Sequence, residues 1–146
     1  MTTVDRVVHA EPADVWAVLA DGWLYALWVV GAARMREVDD SWPAVGARLH
    51  HSVGTWPVLV DDTTSVLEVE PGRRLKLRAR AWPAGEGEVE LRLDATSGGT
   101  TVTMVEDAVS GPGVLVPKPL RDPMLRWRNV EALQRLALLV ENRQVS

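Results

Sequence analysis

The clearest periodic pattern in the chain lies near its C-terminal end, from Leu120 to Asn142. Apolar residues recur there at helical spacing and share one face, which comprises Leu125, Ala132, Leu136 and Leu139, widened by Leu133, Ala137 and Val140. Charged residues, namely Arg128, Glu131, Arg135 and Glu141, fall on the opposite face. The spacing predicts a long amphipathic helix, and Asp122 followed by Pro123 predicts its start. Asn129 interrupts the apolar face. Because a buried amide without partners is costly, we expect it either to bond a nearby backbone group or to make a polar contact inside a cavity.

Most of the preceding chain alternates between apolar and polar residues in short runs that end at Pro-Gly or Gly-Gly turns. This pattern predicts antiparallel hairpins with one apolar face. The predicted strands are Thr3–Ala10, a strand around Met35 and Val38, Arg48–Val53, Ser65–Glu70, Arg74–Trp82, Glu88–Asp94 and Thr101–Asp107. Two short helices are predicted after the first strand, one opening at Glu11–Asp14 and one over Trp23–Val29. The elements together predict an α+β fold with six or seven strands, two short helices and one long C-terminal helix.

Two neighbouring predicted strands carry charges of opposite sign on one face. The first has Arg74, Lys76, Arg78 and Arg80, and the second has Glu88, Glu90, Arg92 and Asp94. In antiparallel neighbours these side chains would pair across the strands. We therefore interpret the basic run as a solvated, paired face, and expect no nucleic-acid partner, in agreement with the formal net charge of −4.

Composition excludes several kinds of chemistry. The chain has no cysteine, which rules out disulfides, thiolate nucleophiles and zinc–thiolate sites. His50 and His51 are adjacent on a predicted strand and point to opposite faces, so they cannot hold one metal ion together. No nucleotide-binding fingerprint is present, and we expect neither a metal nor a cofactor. The longest uncharged apolar run, Trp23–Ala33, is too short to span a bilayer. We expect a cytoplasmic protein without stable membrane insertion, either a monomer or a homodimer.

Four short motifs follow one another along the chain in an order that is typical of one protein superfamily. Glu11–Trp16 opens the first short helix, Trp28 ends the second, Val66–Leu75 forms a strand–turn–strand around Pro-Gly, and Gly98–Thr103 forms the last hairpin. In this order they resemble the START-like (SRPBCC) superfamily, in particular its small bacterial polyketide cyclase/dehydrase-like members. The resemblance implies a single ligand-binding domain over residues 1–146 with the helix-grip fold, in which a curved sheet wraps round the last helix beside an apolar cavity. It implies no one activity, because relatives include lipid carriers, hormone binders, aromatase/cyclases and co-chaperone domains.

Three polar side chains are predicted to face this cavity. Strand alternation turns His51 inward with Leu49, and Glu106 inward with Met104, while Asn129 projects from the last helix. A few convergent polar groups in an apolar pocket are typical of a small-molecule site. A Glu–His pair could also act as general acid or base. Alternatively, the three groups form a structural network that holds sheet to helix.

Aromatic residues supply candidates for the cavity wall. The chain has seven Trp, one Tyr and no Phe, and the candidates are Trp23, Tyr25, Trp28, Trp56, Trp82 and Trp127. Trp28 is favoured because its short helix should close one end of the cavity, and Trp56 because it lies in a break between strands. Leu125, on the apolar face of the last helix, completes the predicted ligand-binding set.

The leading hypothesis is binding of a small hydrophobic or aromatic molecule, lipid or polyketide-like, between the sheet and the C-terminal helix. The loops Ser110–Pro119, Trp42–Gly46 and Gly54–Pro57 would border its entrance. One alternative is a polyketide cyclase or dehydratase that uses His51 and Glu106 as acid/base groups. Another is a co-chaperone-like interaction module whose interior is filled.

Overall fold

A computed structural model of the protein describes residues 2–30, 32–55, 58–81, 85–110 and 118–145. Seven strands follow the chain: β1 Thr2–Val8, β2 Ala32–Val38, β3 Arg48–Thr55, β4 Val58–Glu70, β5 Arg74–Ala81, β6 Gly85–Thr96 and β7 Gly99–Ser110. Helix α1 (Pro12–Leu19), a 3-10 turn (Gly22–Leu24) and α2 (Tyr25–Trp28) lie between β1 and β2, and α3 (Lys118–Val145) ends the chain. The predicted α+β helix-grip architecture is confirmed.

The seven strands form one curved antiparallel sheet in the order β1-β7-β6-β5-β4-β3-β2. Strands β2 to β7 are each paired with their neighbours in sequence, as hairpin connections require. The predicted charge pairing is confirmed, since Arg74 Nε lies 2.8 Å from Glu90 Oε1 and Arg78 Nε lies 3.3 Å from Glu86 Oε2. The opposed charge runs on β5 and β6 therefore satisfy one another on the outer face.

Gly99, the first residue of β7, allows close packing at the edge of the sheet. Gly99 has φ +142°, and a Cβ at this position would lie 2.1 Å from the carbonyl oxygen of Val8. The β6–β7 turn can pack so closely against the end of β1 only because this residue has no side chain. Gly98, the preceding residue, has open space at the same position.

Helix α3 starts earlier than predicted. It begins at Lys118 rather than after Asp122, and Pro123 lies inside it. A proline this close to the start of a helix removes one backbone hydrogen bond without ending the helix, and Pro119 stands in the first turn, where no such bond is needed. No helix in the described part of the chain is both long and apolar enough to cross a bilayer.

The buried face of α3 is centred slightly away from the predicted stripe. Its buried residues are Asn129, Ala132, Leu133, Leu136, Ala137 and Val140. Leu125 and Leu139 are only half-buried. The apolar core that includes the buried apolar residues of α3 is completed on the inner faces of the strands by Leu49, Val66, Leu75, Leu77, Leu91 and Val102.

Candidate functional site

Strand β3 turns His51 inward. Leu49 and His51 are buried, and only 2% of His51 is exposed. His50 points to the other face, where its Nε2 lies 3.1 Å from Asp39 Oδ1. The predicted register is confirmed for this strand, because side chains on successive residues leave opposite faces.

Strand β7 turns Glu106 inward in the same way, in line with buried Val102 and Met104. Its partner was not predicted. Arg128 Nη2 donates to both carboxylate oxygens of Glu106, at 2.7 and 2.9 Å. Arg128 was predicted to lie on the solvent face of α3. Its side chain is instead partly buried, because it extends from the helix to Glu106 on the sheet.

The direct Glu106–His51 pair considered from the sequence is not formed. The Nε2 atom of His51 lies 2.8 Å from Thr64 Oγ1 on β4, and the Tyr25 hydroxyl lies 3.1 Å from that same oxygen. The Tyr25 and His51 rings stack with centroids 5.5 Å apart. Tyr25, Thr64 and His51 therefore form one buried hydrogen-bonded unit, which we call the Tyr–Thr–His chain.

Burial sets the protonation of this chain. It raises the pKa of Tyr25 from 10.0 to about 12, an effect that the Thr64 hydrogen bond opposes and the charge of Glu106 reinforces. Burial also lowers the pKa of His51 below 6.5, against the opposing influence of the Asp62 carboxylate. At neutral pH the site therefore contains a protonated tyrosine and an uncharged imidazole.

Two buried polar atoms in this region have no hydrogen-bond partner within the described chain, His51 Nδ1 and Asn129 Nδ2. Only 1% of Asn129 is exposed. The backbone hydrogen bond considered for Asn129 is therefore not made through its amide nitrogen. Leaving such a group buried and unpaired costs about 1–3 kcal/mol, so each atom would be stabilised by a hydrogen-bond partner such as an ordered water or a bound molecule.

The sequence analysis missed three residues of the site. Thr64 and Asp62 lie on the part of β4 that precedes the predicted strand, and both are buried beside Val66. Extending the period-two alternation backwards from Val66 would have found them. Asp62 pairs directly with His51 in the β3–β4 register. No pattern in the sequence indicated that Arg128 would pair with Glu106.

The aromatic candidates divide into inner and outer residues. Trp28 is buried and packs edge-on against Tyr25, with centroids 5.5 Å apart. Trp23 and Trp127 are 56% and 70% exposed, so the prediction that they line the cavity is wrong. Each lies on the outward side of its helix or turn. The predictions for Trp56 and Trp82 fall outside the described residues, as does most of the Ser110–Pro119 loop.

A separate open cleft of about 370 Å³ lies between α1 and the segment that follows β2. Its lining includes Ala17, Asp21, Trp23, Asp39 and Trp42. Of the residues predicted from the sequence to line or border the site, it includes only the aromatic candidate Trp23 and Trp42 of the predicted entrance loop Trp42–Gly46. In the part of the chain that the structure describes, no three His, Asp or Glu side chains are grouped as metal ligands.

The seven-stranded sheet gripping one long helix, with polar groups on its inner side, defines a helix-grip protein. The chain belongs to the polyketide cyclase/dehydrase and lipid transport family, whose sequence model matches residues 1–141. No functionally curated protein matches the sequence.

Solved structures show the same fold. Protein NE0264 from Nitrosomonas europaea has a TM-score of 0.75 at 19% identity, with 99% of this chain and 96% of that chain covered. The di-domain ARO/CYC StfQ of steffimycin biosynthesis has a TM-score of 0.73 at 13% identity, with 99% of this chain and 51% of StfQ covered. DynU16, from the dynemicin biosynthetic locus, has a TM-score of 0.68 at 26% identity, with coverages of 96% and 46%. The chain thus spans about half the length of StfQ and DynU16.

Proposed function

We propose that the protein binds a small apolar or aromatic molecule, lipid or polyketide-like, between the inner face of the sheet and α3. The observation that carries this proposal is the pair of unpartnered, buried polar atoms on His51 and Asn129. A site that is apolar apart from a few such groups suits a small organic molecule. The family description, which covers both lipid transport and polyketide chemistry, agrees with this proposal.

The proposed contacts are Trp28, His51, Glu106 and Asn129, with Leu125 at the margin of the site. Trp56 stays a predicted contact. The Glu106–Arg128 ion pair would form one polar wall, since both of its charges are already matched. A cytoplasmic location and a monomeric or homodimeric state also stay predictions.

The proposal is tested by tryptophan fluorescence. We expect two- and three-ring aromatic compounds or fatty acids to quench it saturably, and calorimetry confirms their affinity. We expect Trp28→Phe to reduce the quenching amplitude, because Trp28 packs against Tyr25 at the site. The matched control Trp127→Phe changes an exposed tryptophan and should leave the ligand-dependent quenching unchanged. Failure of every compound to bind saturably would refute the proposal.

An enzymatic role is the second candidate, and one observation favours it. His51 combines an uncharged ring with a nitrogen that has no partner, as a general acid or base requires. Glu106 is held by Arg128, so we propose an electrostatic role for it rather than proton transfer. If the protein is an enzyme, His51→Gln should lower turnover by a much larger factor than it lowers ligand affinity. Equal turnover in this variant would remove His51 from the mechanism.

A further inference from the structure

The protons of the Tyr–Thr–His chain can be placed by counting. A tyrosine hydroxyl carries one proton, and among the described residues Tyr25 has only Thr64 as a partner. If Thr64 donated to Tyr25, the tyrosine proton would have no acceptor in a buried place, which is unfavourable. Tyr25 therefore donates to Thr64 Oγ1. The single proton of Thr64 then goes to His51 Nε2, 2.8 Å away. If Thr64 accepted from His51 as well, its own proton would have no acceptor among the described residues.

This direction decides which nitrogen of His51 carries hydrogen. An Nε2 that accepts from Thr64 is unprotonated, so the neutral ring has its hydrogen on Nδ1. The Nδ1 atom is also the buried atom that lacks a partner. The Tyr–Thr–His chain thus holds an open hydrogen-bond donor towards the interior.

Asn129 supplies a second open donor through its Nδ2 atom. Helix α3, which carries Asn129, packs against α2, whose Tyr25 ring stacks on His51. Two donors without acceptors favour a ligand that brings an acceptor oxygen.

The charges nearby decide whether that oxygen is neutral or anionic. The Asp62 carboxylate lies close enough to influence the titration of His51, and Glu106 lies close enough to influence that of Tyr25. Arg128, the cation closest to Glu106, already donates hydrogen bonds to both carboxylate oxygens of Glu106.

Asp62 is likewise paired, since its Oδ1 lies 3.4 Å from Arg80 Nε. Arg36, the cation that influences the titration of His51, donates to the Asp62 carbonyl oxygen. Among the described residues, an added carboxylate would have to compete with Glu106 and Asp62 for these cations, so a neutral oxygen is favoured.

We infer that the ligand is a neutral carbonyl compound whose oxygen accepts a hydrogen bond from His51 Nδ1–H, with the Asn129 amide as the second donor. The inference rests on the proposed function and adds the chemical class of the ligand. Tyr25 and Thr64 act as positioning residues that hold the histidine in the Nδ1–H form.

The tautomer can be tested without any ligand. Long-range ¹H–¹⁵N NMR of the histidine rings distinguishes protonated from unprotonated nitrogens, and His51→Phe assigns the His51 signals. We expect Nδ1 to be protonated and Nε2 unprotonated at neutral pH. Thr64→Val should abolish this preference, because it removes the hydroxyl that donates to Nε2. An Nε2–H tautomer in the unaltered protein would overturn the inference.

The ligand class is tested with pairs of equal shape, fluorenone against fluorene and 1-tetralone against tetralin, and with 1-naphthoate as the anionic probe. We expect each ketone to bind at least about tenfold more tightly than its hydrocarbon, and 1-naphthoate to bind more weakly than the ketones. His51→Phe should bring ketone and hydrocarbon to near-equal affinity, whereas His50→Phe, on the outer face, should leave the preference intact.

The outcomes separate the two proposals. Equal affinity for ketone and hydrocarbon in the unaltered protein would overturn the carbonyl inference and leave the proposed binding function standing. Tighter binding of 1-naphthoate than of the ketones would do the same. Absence of binding by every probe would overturn both.

Discussion

Tyr25 is the only tyrosine in the chain, so its ionisation can be followed directly in the unaltered protein. Burial raises its pKa from 10.0 to about 12. A difference of this size corresponds to about 3 kcal/mol between the folded and unfolded states. Because the folded-state pKa lies above the unfolded value, this contribution to stability is fully present below pH 10 and is lost as the pH rises from 10 to 12.

The assay is a spectrophotometric titration of tyrosinate absorbance, with circular dichroism at each pH to report the fold. We expect no tyrosinate near pH 10 while the protein is native, and tyrosinate near pH 10 in concentrated guanidinium chloride. In a pH-jump experiment above pH 10, tyrosinate should form at the rate of unfolding, since a buried hydroxyl ionises only when water reaches it. Tyr25→Phe supplies the blank.

Two variants are expected to move the pKa of Tyr25 in opposite directions, and they therefore test the cause of its shift. Glu106→Gln should lower the pKa of Tyr25, because the negative charge of Glu106 helps to raise it. Thr64→Val should raise the pKa further, because the Thr64 hydroxyl lowers it by donating a hydrogen bond to the ionised form of Tyr25. A native protein in which Tyr25 titrates near pH 10, or in which both variants shift the pKa the same way, would refute the arrangement of the Tyr–Thr–His chain.

The remaining predictions concern stability measured by urea unfolding. Leu136→Ala, in the fully buried stripe of α3, should reduce the free energy of unfolding by about 2–5 kcal/mol, whereas Leu138→Ala, half-exposed on the same helix, should change it by less than about 0.5 kcal/mol; equal effects would contradict the orientation of α3. Gly99→Ala should reduce the free energy of unfolding by about 2–4 kcal/mol, because its Cβ would collide with the backbone of β1. Gly98→Ala, whose Cβ has open space, should reduce it by under about 1 kcal/mol. An unchanged stability of Gly99→Ala would contradict the close packing of this turn on β1. Arg128→Met should cost about 2 kcal/mol, since it leaves a buried carboxylate unpaired although water can reach part of the site; an unchanged stability would show that the ion pair is dispensable.

Much of the architecture followed from local patterns. The alternation of β5 and β6 predicted both the apolar inner faces and the cross-strand ion pairs, such as Arg74 with Glu90. Helical spacing predicted that Asn129 is buried within an apolar face. These predictions succeeded because side-chain direction repeats every two residues in a strand and every 3.6 in a helix, so sequence spacing is enough to assign a face.

Element boundaries were less predictable. Strand β4 extends back to Val58, well before the predicted start at Ser65, because pairing with β3 satisfies backbone groups that carry no local signal. Helix α3 begins at Lys118, four residues before the predicted cap at Asp122. Pro119 falls in its first turn, where no backbone hydrogen bond is needed, and Pro123 lies inside the helix instead of at its start.

The sequence by itself determined which way His51, Glu106 and Asn129 point. Only the tertiary structure decided their partners. Thr64 is 13 residues from His51 and 39 from Tyr25, and Arg128 is 22 from Glu106. Such pairs depend on the register between strands and on where the last helix lies across the sheet, and neither leaves a periodic trace in the chain. The direction of a side chain is a local property of the backbone, whereas the choice of its hydrogen-bond partner is settled when distant segments pack together.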